Sequence, residues 1–76
     1  MPMNILMPAS MANGNLARWL KQVGERIRAG DVIAEVETDK ALMEIESPYE
    51  GVLAEIRVPE GTTGIAEDTV LAVLAE

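Results

Sequence analysis

Short apolar runs separated by turn residues recur along the whole chain, a pattern typical of strands joined by tight turns. The turns are marked by pairs such as Gly30-Asp31 and Glu60-Gly61. Six to eight short strands in 76 residues, without a clear helix, predict a small antiparallel sandwich or flattened barrel. The predicted strands cover residues 4–7, 15–21, 32–37, 41–46 and 69–74, with a further strand from Val52 to Val58 and brief segments near Ile27 and Ile65.

An internal repeat relates the two halves of the chain. Glycine and apolar positions coincide at an offset of 37 and, after one inserted residue, at an offset of 38. Two units this short cannot each bury a core, so we expect them to pack face to face around a pseudo-two-fold axis. We expect the repeated glycines to serve turns. The matched pairs are Gly14 with Gly51, Leu16 with Leu53, Ala17 with Ala54, Gly24 with Gly61, Ile27 with Ile65, Val32 with Val70, Ile33 with Leu71 and Ala34 with Ala72, and upstream Ile5 with Ile45 and Pro8 with Pro48 at an offset of 40.

The repeat also decides between a helix and a strand for residues 15–21. In the first copy, the spacing of Leu16, Trp19 and Val23 fits an amphipathic helix. The second copy alternates with period two and runs directly into Pro59, which favours a strand. We therefore predict strands in both copies. The residues expected to face inward are Ala17 and Trp19 and their counterparts Ala54 and Ile56.

The segment DVIAEVETDKALMEIE predicts a hairpin with Lys40 at its tip. Asp39-Lys40 forms a two-residue turn, although the strongest hairpin signal, a glycine in the loop, is absent. Closing the turn between Thr38 and Ala41 sets the register and sorts the side chains into an apolar and an acidic face. The apolar face pairs Val36 with Met43 and Ala34 with Ile45, and the acidic face pairs Glu35 with Glu44 and holds Glu37 and Glu46.

Composition excludes most kinds of site chemistry. The chain has no Cys and no His, which excludes disulfides, thiolate or imidazole metal sites and Ser–His–Asp relays. A net charge of −7, with one Trp, one Tyr and no Phe, argues against nucleic-acid binding. No apolar run approaches the ~20 residues of a membrane span, and no signal segment is visible. The sequence thus predicts one soluble cytoplasmic domain over residues 1–76, without a metal and not an enzyme by itself.

The run ETDKALMEIE closely resembles the lipoyl domains of 2-oxo acid dehydrogenase complexes, together with GNLARWLKQVGERIRAGDVIAEV before it and SPYEGVLAEIRVPEG after it. The resemblance covers essentially the whole chain, and Asp-Lys-Ala on a hairpin within this repeat is specific. It implies an all-β fold, a flattened barrel of two four-stranded antiparallel sheets related by a quasi-two-fold axis. It also implies that Lys40 carries lipoic acid in amide linkage, as N6-lipoyllysine.

The resemblance further implies a carrier function. The arm on Lys40 would shuttle acyl groups and reducing equivalents between a thiamine-diphosphate-dependent decarboxylase, an acyltransferase core and dihydrolipoyl dehydrogenase. A lipoate ligase or lipoyl transferase would attach the arm beforehand. Asp-Lys-Ala favours the pyruvate type, within a dihydrolipoyl acyltransferase chain. We expect a monomeric domain in which Glu37, Asp39, Ala41 and Glu44 help to present Lys40 to the ligase and the decarboxylase.

Three alternatives stay open at this point. An acetoin dehydrogenase lipoyl domain is the nearest, because it would share the same chemistry. A biotin carboxyl carrier domain has the same fold, but its lysine lies between two methionines, whereas Asp39 and Ala41 flank Lys40 here. The third alternative is an unmodified β-module that only makes protein contacts, with Lys40 an ordinary solvated turn residue.

Two expectations concern the regions around the hairpin. The loop of residues 9–13 is about three residues shorter than in typical lipoyl domains, and in the family this loop helps partner recognition, so partner choice stays open. The hairpin strands match the last strand, 69–74, and the first, 4–7, in the repeat. We therefore expect both chain ends to lie together, at the end of the molecule opposite Lys40.

Overall fold

The computed structural model describes residues 2–75, which form two antiparallel sheets. One sheet has the strand order β1-β7-β6-β3 and the other β2-β4-β5, which confirms the predicted all-β fold. Within residues 2–75, no helix is long and apolar enough to cross a membrane. The strands are β1 (Met3–Leu6), β2 (Asn15–Trp19), β3 (Arg26–Ile27), β4 (Val32–Glu37), β5 (Leu42–Glu46), β6 (Gly51–Ile56) and β7 (Val70–Ala75), and a short 3-10 helix spans Ala9–Met11.

The repeat is visible in how the two sheets are closed at their edges. In the first sheet, β3 pairs with the start of β6 through Ile27 and Gly51. In the second sheet, their repeat counterparts Ile65 and Gly14 form a single isolated bridge. This bridge stands where the fourth strand of the second sheet was expected. The two sheets are therefore related by the predicted pseudo-two-fold arrangement, with one of the eight strands reduced to a bridge.

Two β-bulges at equivalent positions explain the spacing of three between Leu16 and Trp19 that looked helical. Ala17 has no partner in the ladder between β2 and β4, and Ala54 has none in the ladder between β6 and β7. An extra residue in one strand changes the direction of the side chains that follow it. Leu16 and Leu53 are consequently fully buried, whereas Ala17 and Ala54 are exposed. The prediction that the two alanines face inward is wrong.

The residues that follow each bulge return toward the core. Trp19 and Ile56 lie three positions after the buried leucines, and both are half-buried against the core. Their predicted inward direction is confirmed. A strand with one extra residue thus has inward residues three positions apart. Strict alternation with a period of two does not predict this spacing.

The core is built from the same positions of both copies. A second pair of bulges leaves Ile33 and Leu71 without ladder partners, and both side chains are fully buried. Each fully buried leucine or isoleucine stabilises the fold by about 1.5–3 kcal/mol relative to an exposed one. The buried apolar residues are Ile5, Met7, Met11, Leu16, Ile27, Ile33, Ala34, Val36, Ile45, Leu53, Val58, Ile65, Leu71, Ala72 and Leu74.

Gly14 and Gly51 lie where two chain segments approach each other, not in turns. A Cβ atom on Gly14 would lie 2.6 Å from Cγ1 of Val36, and one on Gly51 would lie 2.5 Å from the carbonyl oxygen of Ala75. Both positions therefore require glycine for lack of space, which corrects the expectation that they serve turns. The other repeated glycines do lie in turns with positive φ: Gly24 at 99° and Gly61 at 87°.

The hairpin and the chain ends lie at opposite ends of the molecule. Met3 pairs with Leu74, so the two ends of the described chain are adjacent. Strand β2 starts at the hairpin, and β6 starts at the chain ends. The far ends of these two strands lie close together, as the hydrogen bond from Trp19 Nε1 to the Val58 carbonyl oxygen at 2.8 Å shows. The molecule measures 34 × 18 × 18 Å along its principal axes. This is the arrangement expected from the repeat.

Candidate functional site

The hairpin of β4 and β5 has the register that the sequence predicts. Its inner face is buried or half-buried, and its outer face carries the glutamates. The ladder slips by one residue at Ile33, so Glu46 lies opposite Val32. The remaining pairs are Ala34 with Ile45, Glu35 with Glu44, Val36 with Met43 and Glu37 with Leu42.

Asp39 and Lys40 form the bend between the two strands. The Thr38 N–H donates to the Ala41 carbonyl oxygen at 2.9 Å, which closes the predicted two-residue turn. The usual hairpin turns, types I′ and II′, require positive φ at one or both central residues. Within residues 2–75, only Asn13 and Asp68 among non-glycine residues have positive φ. The bend is therefore neither type, in keeping with the absence of glycine.

The Thr38 hydroxyl supplies additional hydrogen bonds within the bend. Its Oγ1 accepts from the backbone N–H groups of Lys40 at 3.3 Å and Ala41 at 3.2 Å. The same hydroxyl donates to the Ala41 carbonyl oxygen at 3.0 Å. Thr38 was not among the residues predicted to matter. The signal that could have identified it is a hydroxyl residue two positions before Lys40 in a bend without glycine.

Lys40 is exposed at the tip of the bend, with Asp39 and Ala41 exposed on either side. The ion pairs among residues 2–75 are all made by arginines, so the described chain places no carboxylate within ion-pair distance of Lys40 Nζ. Lys21, the other lysine, is half-buried on the loop after β2. Of the two lysines, the one on the hairpin is thus the more accessible.

The outer face of the hairpin is acidic, and a neighbouring strand neutralises one of its carboxylates. Arg18 Nε of β2 donates to Glu35 Oε1 at 2.9 Å, and the Glu35 side chain is only 17% exposed. This contact relieves the repulsion between Glu35 and Glu44, which lie directly opposite each other. Glu37, Glu44 and Glu46 are exposed. The sequence could not identify Arg18, because its position opposite Glu35 follows only once the bulge at Ala17 is known.

The loop of residues 9–13 lies beside the hairpin. A shallow groove runs between Ala12, Asn13 and Gly14 on one side and Thr38 and Asp39 on the other. The Asn13 N–H donates to the Ile65 carbonyl oxygen at 2.7 Å, which holds the loop against the rest of the chain. The loop therefore flanks the bend that carries Lys40.

Comparison with known families identifies the fold family. Residues 3–74 match the family model Biotin_lipoyl, described as "Biotin-requiring enzyme". The match covers nearly the whole chain, including the Lys40 hairpin and both copies of the repeat.

Two curated relatives cover this chain almost completely. The dihydrolipoyllysine-residue acetyltransferase component of pyruvate dehydrogenase complex from Rhizobium meliloti is 54% identical over 78 residues, which are 99% of this chain and 17% of that protein. The protein of the same name from Rickettsia typhi is 52% identical over 79 residues, covering 100% of this chain and 20% of that protein. The chain thus spans about a fifth of the length of these relatives.

A solved structure of similar size superposes on nearly the whole chain. The solution structure of the lipoyl domain of the 2-oxoglutarate dehydrogenase complex from Azotobacter vinelandii superposes with a TM-score of 0.72 and 36% identity. The superposition covers 95% of this chain and 96% of that domain. The chain therefore belongs to the biotin and lipoyl attachment family, and within it to the lipoyl domains.

Proposed function

We propose that Lys40 carries lipoic acid in amide linkage and that residues 1–76 act as one lipoyl carrier domain of a cytoplasmic pyruvate dehydrogenase complex. The observation that carries this proposal is the placement of Lys40. It is exposed at the tip of the β4–β5 bend, and the described chain offers its amine no ion pair. Relatives over 50% identical are named as acetyltransferase components of that complex.

The surroundings of Lys40 fit such an attachment. Forming the amide requires that the neutral Nζ attacks the carboxyl carbon of an ATP-activated lipoate (an acyl adenylate), displaces AMP and loses a proton. The amine must therefore reach an enzyme's active site without being held by a carboxylate. Lys40 is exposed, so an enzyme can reach its amine, and the small side chain of Ala41 does not block the approach. The product amide is uncharged, so the modified side chain has no ionic attraction to the acidic face.

The hairpin would hold the attachment point of a long, mobile side chain in a fixed position. About eleven bonds separate the Lys40 Cα from the ring of the attached group, a reach on the order of 14 Å. When bound, lipoic acid supplies a dithiolane that accepts an acyl group and two electrons, and the protein supplies position and recognition. The chain ends lie at the far end of the 34 Å molecule, so a longer parent chain would leave without obstructing the arm.

The acidic face supports a role in recognition. Glu37 and Glu44 are exposed near the bend, and Asp39 directly precedes Lys40. Carboxylates in this position attract positively charged surfaces and raise association rates more than they raise affinity. Glu37, Asp39, Ala41 and Glu44 would thus present Lys40 to a lipoate ligase or lipoyl transferase and then to the thiamine-diphosphate-dependent decarboxylase. The acyltransferase core and dihydrolipoyl dehydrogenase would act on the same arm of a monomeric domain.

The intact mass of the chain tests this proposal. After incubation with lipoate, ATP and a lipoate–protein ligase, the unaltered chain should gain one lipoyl group, and peptide mapping should place it on Lys40. Lys40→Arg should gain none, whereas the control Lys21→Arg should be modified like the unaltered chain. The modified chain should then be reductively acylated by a pyruvate decarboxylase component faster than by 2-oxoglutarate or acetoin counterparts. Attachment of biotin, or of lipoate to Lys21, would contradict the proposal.

A further inference from the structure

The closing hydrogen bonds of the Lys40 bend depart from those of an ordinary two-residue hairpin. The residues that close such a turn exchange two backbone hydrogen bonds, one in each direction. Here the Thr38 N–H donates to the Ala41 carbonyl oxygen, but within residues 2–75 the Ala41 N–H has no backbone acceptor. It donates instead to the Thr38 hydroxyl at 3.2 Å. One of the two closing bonds therefore depends on a side chain.

The backbone conformation explains why a side chain is needed. Turns that match the twist of a hairpin place their central residues at positive φ, and other turns splay the strands. Neither Asp39 nor Lys40 has positive φ. The Thr38 hydroxyl bridges the resulting gap, because it accepts from the N–H groups of Lys40 and Ala41 and donates to the Ala41 carbonyl oxygen. A hydroxyl has the donor and acceptor capacity for these three bonds.

We propose that Thr38 is a positioning residue for the modification of Lys40, because its hydroxyl holds the bend in the one conformation that the ligase binds. This inference rests on the proposed lipoylation of Lys40. Without the hydroxyl, the bend samples several conformations, and only a fraction of molecules presents the amine correctly. The apparent affinity of a partner falls by that fraction. Loss of the hydroxyl should thus raise KM for the chain as a ligase substrate and leave kcat nearly unchanged.

Thr38→Val tests the inference, because valine keeps the branched shape and removes the hydroxyl. The KM of a lipoate–protein ligase for this variant should rise roughly three- to tenfold, the factor that corresponds to a net hydrogen bond of ordinary strength. Thr38→Ser keeps the hydroxyl and should restore KM to within about twofold of the unaltered chain. Hydrogen exchange at the Lys40 and Ala41 amides should accelerate in Thr38→Val and not in Thr38→Ser.

Thr62→Val is the matched control. The Thr62 hydroxyl also bonds a carbonyl oxygen three residues away, that of Pro59 at 2.8 Å, but it lies outside the hairpin. This variant should lose comparable stability and keep the KM of the unaltered chain. A Thr38→Val chain with unchanged KM, or one that Thr38→Ser does not rescue, would overturn the inference alone. An unaltered chain that the ligase leaves unmodified would instead contradict the proposed function and the inference with it.

Discussion

The molecule has a hairpin half, built on the sheet of β2, β4 and β5, and a terminal half, built on the sheet of β1, β7, β6 and β3 (the terminal sheet). The two halves are equivalent in the core and differ on their outer faces. In the core, Leu16 of one half and Leu53 of the other are both fully buried, each directly before a bulge. On the outer faces, the two halves differ at every position that carries a hairpin glutamate. Glu35, Glu37, Glu44 and Glu46 correspond by the repeat to Val73, Ala75, Asn4 and Leu6.

This difference separates what the fold requires from what the site requires. The terminal sheet forms the same ladders without a single carboxylate at the four positions, so the fold does not need them. Like charges placed opposite each other even oppose pairing. At these four equivalent positions, glutamates occur only on the sheet that ends in Lys40. Their placement is therefore not explained by stability, and it supports the recognition role proposed for them beside Lys40.

The largest effect should come from core truncation, and it should be the same in both halves. Leu16→Ala and Leu53→Ala each remove a fully buried side chain at equivalent positions. Each should lower the free energy of unfolding by about 2–5 kcal/mol, measured by urea denaturation. Ala17→Gly, at an exposed bulge position, serves as a control with a far smaller effect. Losses that differ widely between the two leucines would show that the halves are not equivalent inside.

The two close-contact glycines should respond unequally. A Cβ on Gly14 meets both Val36 Cγ1 at 2.6 Å and the Met11 carbonyl oxygen at 2.8 Å, whereas the closest atom to one on Gly51 is the carbonyl oxygen of Ala75, near the chain end. Overpacking of this kind costs about 1–3 kcal/mol, and a Cβ on Gly14 would overlap atoms of two different residues.

We therefore expect Gly14→Ala to lower the free energy of unfolding more than Gly51→Ala does, as measured by urea denaturation. Because Gly14 borders the groove beside Thr38 and Asp39, only Gly14→Ala should also slow lipoylation. An equal loss of unfolding free energy at both positions, or slower lipoylation in Gly51→Ala, would contradict the expected difference between Gly14 and Gly51.

The sequence predicted the hairpin well because apolar and acidic residues alternate over residues 34–37 and 43–46 on either side of the bend. Register, closing pair and exposed Lys40 all follow from that alternation. It failed at Ala17 and Ala54, because the extra residue of each bulge breaks the alternation between the buried leucine before it and the inward residue two positions after it. The contact between Arg18 and Glu35 was missed for the same reason. The role of Thr38 depends on backbone angles of the bend, which composition alone does not set.

A smaller effect is expected at the ion pair between Arg18 and Glu35 on the acidic face. Arg18→Gln leaves the Glu35 carboxylate, which is mostly shielded from solvent, opposite Glu44 without a cation. Because the Arg18 side chain is 61% exposed, solvent screens much of the contact, and the loss should be about 0.5–1 kcal/mol. The loss should shrink with added salt.

The double variant Arg18→Gln with Glu35→Gln should recover most of that loss, since the uncompensated carboxylate is then gone. Arg57→Gln provides the comparison on the terminal sheet, where Arg57 Nε and Glu55 Oε1 are 3.4 Å apart and both side chains are largely exposed. A loss in Arg57→Gln as large as in Arg18→Gln would show that the Arg18 contact has no special role.

Glu44→Gln should change stability least and act on association instead. Glu44 is exposed opposite Glu35, so its neutralisation relieves a weak repulsion and should change the free energy of unfolding by less than about 0.5 kcal/mol. Lipoylation and reductive acylation should slow, and their rates should depend less on salt, since one steering charge is lost. Glu55→Gln removes the same charge from the terminal sheet. If it slowed both reactions equally, net charge alone would govern association, and the difference between the two outer faces would have no bearing on recognition.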